Sequence, residues 1–107
     1  MIAWLSRLFG RAEPSLLEAR PQDSSAIADL HAASFRRGWS DGEIERLLLE
    51  RNVLAHRAMM GRRLAGFILS RIAGDEAEIL SVAVNSAQRG RGIARALRVR
   101  RGAADGD

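Results

Sequence analysis

The spacing of apolar positions changes near residue 52, from a helical period before it to a strand period after it. Ser15-Leu-Leu-Glu-Ala-Arg20 is a short apolar–polar run that reads as a first strand, closed by Pro21. Asp23 stands where a helix N-cap belongs, ahead of Ile27, Leu30 and Phe35, and Gly38 breaks the helix that carries them. Ser40-Asp-Gly-Glu43 has capping-box spacing, in which the serine oxygen and the glutamate satisfy each other's free amides. Ile44, Leu47 and Leu48 follow on one face and predict a second short helix ending near Asn52.

Val53–Met60 and Leu64–Ile72 flank Gly61-Arg-Arg63 and predict a hairpin. Ala73-Gly-Asp-Glu76 is the next turn, with Asp75 and Glu76 as turn residues. It leads into Ala77–Val84, a run β-branched and apolar enough for an interior strand. Asn85-Ser-Ala-Gln88 is a polar connection, Arg89-Gly-Arg-Gly92 a glycine-punctuated loop, and Ile93-Ala-Arg-Ala-Leu97 the start of a helix. That helix is expected to stop near Leu97, because the next inward positions, Arg100 and Arg101, are charged. The predicted order is strand, two helices, three strands, loop, helix.

Composition narrows the class. A chain of 107 residues with 47% hydrophobic and 28% charged positions suits one globular domain. There is no cysteine, which excludes disulfides and thiolate metal sites. His31 and His56 have no metal-ligand spacing; each reads as a satisfied structural histidine, and no metal is expected. Residues 1–14 read as a leader. Its Trp4, Leu5, Leu8 and Phe9 share one helical face, but its apolar run is too short to span a bilayer or form a signal-peptide core. A cytoplasmic protein without a membrane segment is the expectation. The formal charge of +4 is unevenly placed, because residues 1–84 hold 11 arginines and 11 carboxylates. Residues 85–107 hold six arginines against two aspartates, so the whole excess lies there.

Candidate chemistry sits in that same stretch. Arg89–Ala94 puts glycines between a strand and a helix start, where free amides and the helix dipole favour an anion. Glycine removes the Cβ that would hold a phosphate oxygen away from those amides. The lysine and hydroxyl residue of a P-loop are missing, and so is the third glycine of a dinucleotide fingerprint.

The run Glu78-Ile-Leu-Ser-Val-Ala-Val-Asn-Ser-Ala-Gln-Arg-Gly-Arg-Gly-Ile-Ala-Arg-Ala-Leu97 resembles the central motif of the GNAT superfamily of acetyl-CoA-dependent N-acyltransferases. Arg89, Gly92 and Ala94 stand at the signature positions of its Gln/Arg-x-x-Gly-x-Gly/Ala pattern, and the element order agrees. His31–Ser40 further resembles the branch that acetylates the N-terminal alanine of a ribosomal protein. The resemblance implies an α+β fold with a mixed, largely antiparallel sheet flanked by helices. It covers residues 15–97, the N-terminal and central part of such a domain; the family's C-terminal strands and helix have no counterpart, and 98–107 is an off-pattern basic tail. The family's usual tyrosine, proposed to protonate the leaving thiolate, is also without a counterpart, since the chain contains none.

The resemblance also implies residue roles. Val82, Ala83 and Val84 would offer backbone groups to the pantetheine arm of acetyl-CoA, and the amides of Gly90, Arg91, Gly92, Ile93, Ala94 and Arg95 would cradle its pyrophosphate. Arg89 and Arg91 would add charge. Glu78 aligns with a strand glutamate that serves as base in some relatives, against the reading of an ordinary exposed strand residue. Trp39 would shape the acceptor pocket or else cap the core. An unpaired edge on the strand through Val82 would favour dimerisation. Three readings follow: an N-acetyltransferase acting on a protein N-terminus; a module that holds acetyl-CoA without transfer or pairs with another chain through the exposed sheet edge; and an RNA- or ribosome-binding module, which lacks interleaved aromatics for base stacking.

Overall fold

A computed structural model of the chain describes residues 14–105, with side chains to residue 102. The leader therefore lies outside the described residues, apart from Pro14. Strand β1 (Ser15–Glu18) is followed by a 3-10 turn at Pro21–Asp23 and helices α1 (Ser24–Ser34) and α2 (Asp41–Leu49). Strands β2 (Val53–Met60), β3 (Arg63–Ala73) and β4 (Glu76–Val84) come next, then a second 3-10 turn (Ser86–Gln88) and helix α3 (Ile93–Asp105). The four strands form one antiparallel sheet in the order β1-β2-β3-β4.

Both hairpins turn through a glycine at positive φ, Gly61 at 63° and Gly74 at 62°, with no other positive φ in the turn. That is the backbone hand that matches strand twist. Helices α1 and α2 cover one sheet face, where Ile27, Leu30 and Ile44 pack on Phe67, Leu69 and Ala83. Helix α3 covers the other, where Ile93 and Leu97 pack on Ala58, Ala65 and Ile68.

Four local expectations are corrected. Asp23 does not cap α1: its backbone is helical, and its carboxylate accepts instead from Arg20 N–H at 2.8 Å and from Arg57 at 3.2 Å. Phe35 is not on α1 but follows it, with extended backbone, and is 40% exposed. Strand β4 is at the sheet edge rather than inside it; Val82, Ala83 and Val84 are apolar because helices cover both faces of its C-terminal half. Helix α3 continues past Leu97 to Asp105. Arginine and alanine are good helix formers, and a single Gly102 costs only about 1 kcal/mol without ending a helix. Val99 in this extension is 67% exposed, so local propensity sustains the helix where it packs on nothing.

The capping box at Ser40 forms as the sequence predicts. Glu43 N–H donates to Ser40 Oγ at 3.2 Å, and Ser40 N–H donates to Glu43 Oε1 at 3.3 Å. Helix α2 ends at Leu49, three residues before the expected limit.

Candidate functional site

Strand β4 loses register with β3 at one point. Leu69 faces Ser81 and Ser70 faces Ile79, so Leu80 is an extra residue, a β-bulge. A bulge reverses the alternation of side chains beyond it. Val82 and Val84 lie on the α3 face, whereas Glu78 pairs with Arg71 on the α1–α2 face. Strict alternation would have put Glu78 on the same side as Val82.

The backbone of the last strand residues follows from one hydrogen bond. Asn85 N–H donates to Ala65 C=O at 2.7 Å, which makes this a hydrogen-bonded pair in the antiparallel ladder. Two residues back, Ala83 and Phe67 form the next such pair, and Ala83 spends its N–H and C=O on β3. The N–H and C=O of Val82 and Val84 therefore point away from β3. No strand covers that edge among the described residues.

A cleft of about 580 Å³ opens along this edge. Its walls are Ser34 and Phe35 at the end of α1, Val82 to Val84, the loop at Gln88–Gly92, and Ile93, Ala94, Arg95 and Arg98 at the start of α3. It gathers the residues singled out in the sequence for acetyl-CoA except Arg91, which is exposed on the same loop. Ile93 contributes through its backbone, since its side chain is buried in the α3 core. Gly92 C=O accepts the first helical bond, from Ala96 N–H at 2.9 Å, which leaves the amides of Ile93, Ala94 and Arg95 without an intrahelical acceptor.

Gly90 and Gly92 have φ of 82° and 76°, and nothing lies within 4 Å of where a Cβ would stand at either. The loop thus presents bare backbone to the cleft. Arg89 does more than add charge: its Nε donates to Val84 C=O at 3.3 Å and ties the loop to the strand end. The Gln88 side-chain oxygen is buried beside the cleft without a hydrogen-bond partner. These groups fit a ligand with an anionic end and an amide-bearing arm. Ser34, Phe35, Gln88 and Arg98 were not singled out in the sequence. Only Arg98 had a signal, three residues after Arg95 and so on the same helical face.

Trp39 does not line this cleft. It borders a second hollow of about 330 Å³ with Glu43, Arg46, Leu47, Glu50, Arg71 and Leu80. There Arg71 pairs with Glu50 at 3.2 Å. Glu78 is exposed and lines neither opening; it sits across the ladder from Arg71. His31, 4% exposed, lies between the two openings, stacked on Trp39 at 4.4 Å and against Phe35 at 4.5 Å. Burial pushes its pKa below the ordinary imidazole value, opposed by the negative charge of Glu43.

Free amides at a helix start thus run on, through a glycine loop, into an open strand edge. Residues 24–98 match the Acetyltransferase (GNAT) family, and the chain belongs to that family. Among solved structures, the fold is similar to the ribosomal-protein-S18-alanine N-acetyltransferase of Escherichia coli, with 18% identity and a TM-score of 0.74. That match covers 81% of this chain and 56% of the other, so the chain spans about half the length of that relative. It is also similar to the ribosomal-protein-alanine N-acetyltransferase of Brucella melitensis biovar Abortus 2308 (24% identity, TM-score 0.70, covering 83% and 69%). An aminoglycoside acetyltransferase from an uncultured soil metagenomic sample, in complex with sisomicin, matches with 16% identity and a TM-score of 0.70, covering 86% and 69%. No curated protein matches the sequence.

Proposed function

We propose that this chain binds acetyl-CoA in the cleft along β4 and serves transfer of the acetyl group to an amine, most specifically the N-terminal α-amine of a protein of the ribosomal-protein alanine type. The observation that carries the reading is the continuity of the outward backbone groups of Val82 and Val84 with the bare loop and helix start at Gly90–Arg95. The acceptor is proposed from the shared fold of two ribosomal-protein-alanine N-acetyltransferases; an aminoglycoside acetyltransferase shares that fold too.

Held there, acetyl-CoA would supply an activated acyl carbon for the amine nitrogen, the carbon–sulfur bond breaking and CoA leaving as a thiolate that takes a proton from water. The chain's own groups do the rest. Amides at the α3 start and the guanidinium groups of Arg95 and Arg98 hold the anionic end. Val82 and Val84 orient the arm as an added strand would be oriented. Trp39 forms a wall of the hollow through which the acceptor amine approaches. The amine must shed a proton, and Glu78 is proposed to take it through water, supported by the bulge that turns it to the face of Arg71 and Trp39.

A second reading, binding of acetyl-CoA without transfer, is favoured by one observation: Glu78 lines neither opening. Calorimetry and a turnover assay on an alanine-starting peptide separate the two. Acetyl-CoA is expected to bind the parent chain saturably and to bind Gly92→Glu not at all, because a carboxylate would fill the anion cradle. Acetylated peptide that falls at least tenfold in Glu78→Gln supports transfer; binding with no product supports the second reading. Strong, salt-sensitive RNA binding without acetyl-CoA binding would sink both.

A further inference from the structure

His31 holds both ends of the segment that joins the two openings. Its backbone C=O accepts from Phe35 N–H at 2.9 Å, and its ring Nδ1 accepts from Trp39 N–H at 3.1 Å. Between those points Gly38 lies so close to α1 that a Cβ would stand 2.9 Å from Ala32 Cα. The imidazole then fills the space between the two aromatic rings, nearly parallel to Trp39 at 17° and tilted 34° from Phe35, over Phe67 at 6.3 Å. Phe35 is a wall of the β4 cleft and Trp39 a wall of the second hollow.

We infer that His31 is a positioning residue, whose neutral imidazole clamps the segment 35–39 and thereby sets the cofactor wall and the acceptor wall in one fixed relation. The assignment of those walls rests on the acetyltransferase reading; the clamp itself rests on the hydrogen bonds and ring contacts. The chemistry of the clamp is one-sided. Nδ1 can accept from Trp39 N–H only while it carries no proton, and an imidazolium would oppose one donor with another. The charged and titratable groups around the ring are few. Helix α2 brings Glu43, which favours the imidazolium; β3 brings the uncharged Phe67; and the segment itself carries Arg36 and Arg37, both exposed. Burial works against the charged form and is the larger effect. The clamp is therefore closed at neutral pH and released by acid.

The experiment uses the full chain with Trp4→Phe, which leaves Trp39 as the only tryptophan. Its emission and the affinity for acetyl-CoA are followed from pH 8 to pH 5, with circular dichroism as a check on folding. Emission is expected to report one transition below pH 6.5, and acetyl-CoA affinity to fall roughly three- to tenfold across it, the worth of one hydrogen bond. His31→Asn retains an acceptor near the Nδ1 position but cannot titrate, and its emission and affinity are expected to vary no further with pH than the ligand's own ionisation requires. His31→Phe retains a ring without the acceptor and is expected to show the acid-state emission at every pH. The clamp is overturned if His31→Asn titrates as the parent does, or if Trp39 emission ignores both substitutions. Emission that follows His31 in a chain that never binds acetyl-CoA would uphold the clamp and reject the acetyltransferase reading.

Discussion

Single residues set the chemistry of this site through bonds made over short stretches of chain. Because burial holds the His31 pKa below its unfolded value of about 6.5, the unfolded chain binds a proton that the folded chain refuses. The sign of the linkage follows. His31 costs nothing above the unfolded pKa, and stability declines as pH falls through about 6.5 until the folded pKa is passed. The midpoint of urea unfolding, compared at pH 8 and pH 5, is expected to drop further in the parent than in His31→Asn; an equal drop would assign the loss to other groups. The role of this histidine was half legible. A buried, satisfied side chain could be read from its helical neighbour Leu30, but not its partner, because Trp39 N–H arrives through a loop whose path no periodicity encodes. The Ser40 box was fully legible, since both of its bonds join residues three apart on one helix start. Asp23 was not, because its carboxylate is drawn to Arg57, 34 residues away on β2.

At the scale of elements, the approach of α3 to the sheet decides whether the cradle meets the strand edge. Gly66 permits that approach: a Cβ there would stand 3.0 Å from Ala83 O, 3.2 Å from Ile93 and 3.3 Å from Leu97. Gly66→Val is expected to push α3 outward, at a cost of about 1–3 kcal/mol typical of overpacked cores. That corresponds to a fall in melting temperature of roughly 4–8 °C per kcal/mol for a domain near this size. Acetyl-CoA affinity should fall with it, because the displaced helix carries the cradle. Val99→Lys is the control at a mostly exposed position of the same helix and should leave melting unchanged. Element types and order are readable because the hydrophobic period changes near residue 52 and Pro21, Gly38, Gly61, Gly74 and Gly90–Gly92 punctuate the chain. The bulge at Leu80 is not: Ala77 to Val84 reads as one apolar strand with no alternation to interrupt, and only pairing with β3 reveals the extra residue. The length of α3 was missed for a related reason. An inward pattern reports packing, and the helix runs on through Arg98, Val99 and Arg100, all exposed.

For the molecule as a whole, the uneven charge acquires a location. Of the arginines beyond residue 84, Arg89, Arg95 and Arg98 line the β4 cleft, and Arg91 is exposed on its loop. On the proposed reading, the field they make is focused where the walls of β4 and α1 meet the helix dipole, and there it would draw an anion. Arg89 is also tied to Val84, so the arginines that can be neutralised without loosening the loop are Arg95 and Arg98. Replacing each with glutamine is expected to weaken acetyl-CoA binding about tenfold at low salt, the worth of one charged hydrogen bond. The double variant should also flatten the dependence of affinity on salt, since exposed charges are screened within about 10 Å at 0.1 M. An acetylated pantetheine without phosphates serves as the internal comparison. It engages the strand edge but not the cradle, so its affinity should be the same in the parent and in Arg95→Gln/Arg98→Gln. Equal losses for both ligands would mean that the substitutions disturb β4 itself, and a loss for neither would place the phosphates elsewhere than the start of α3.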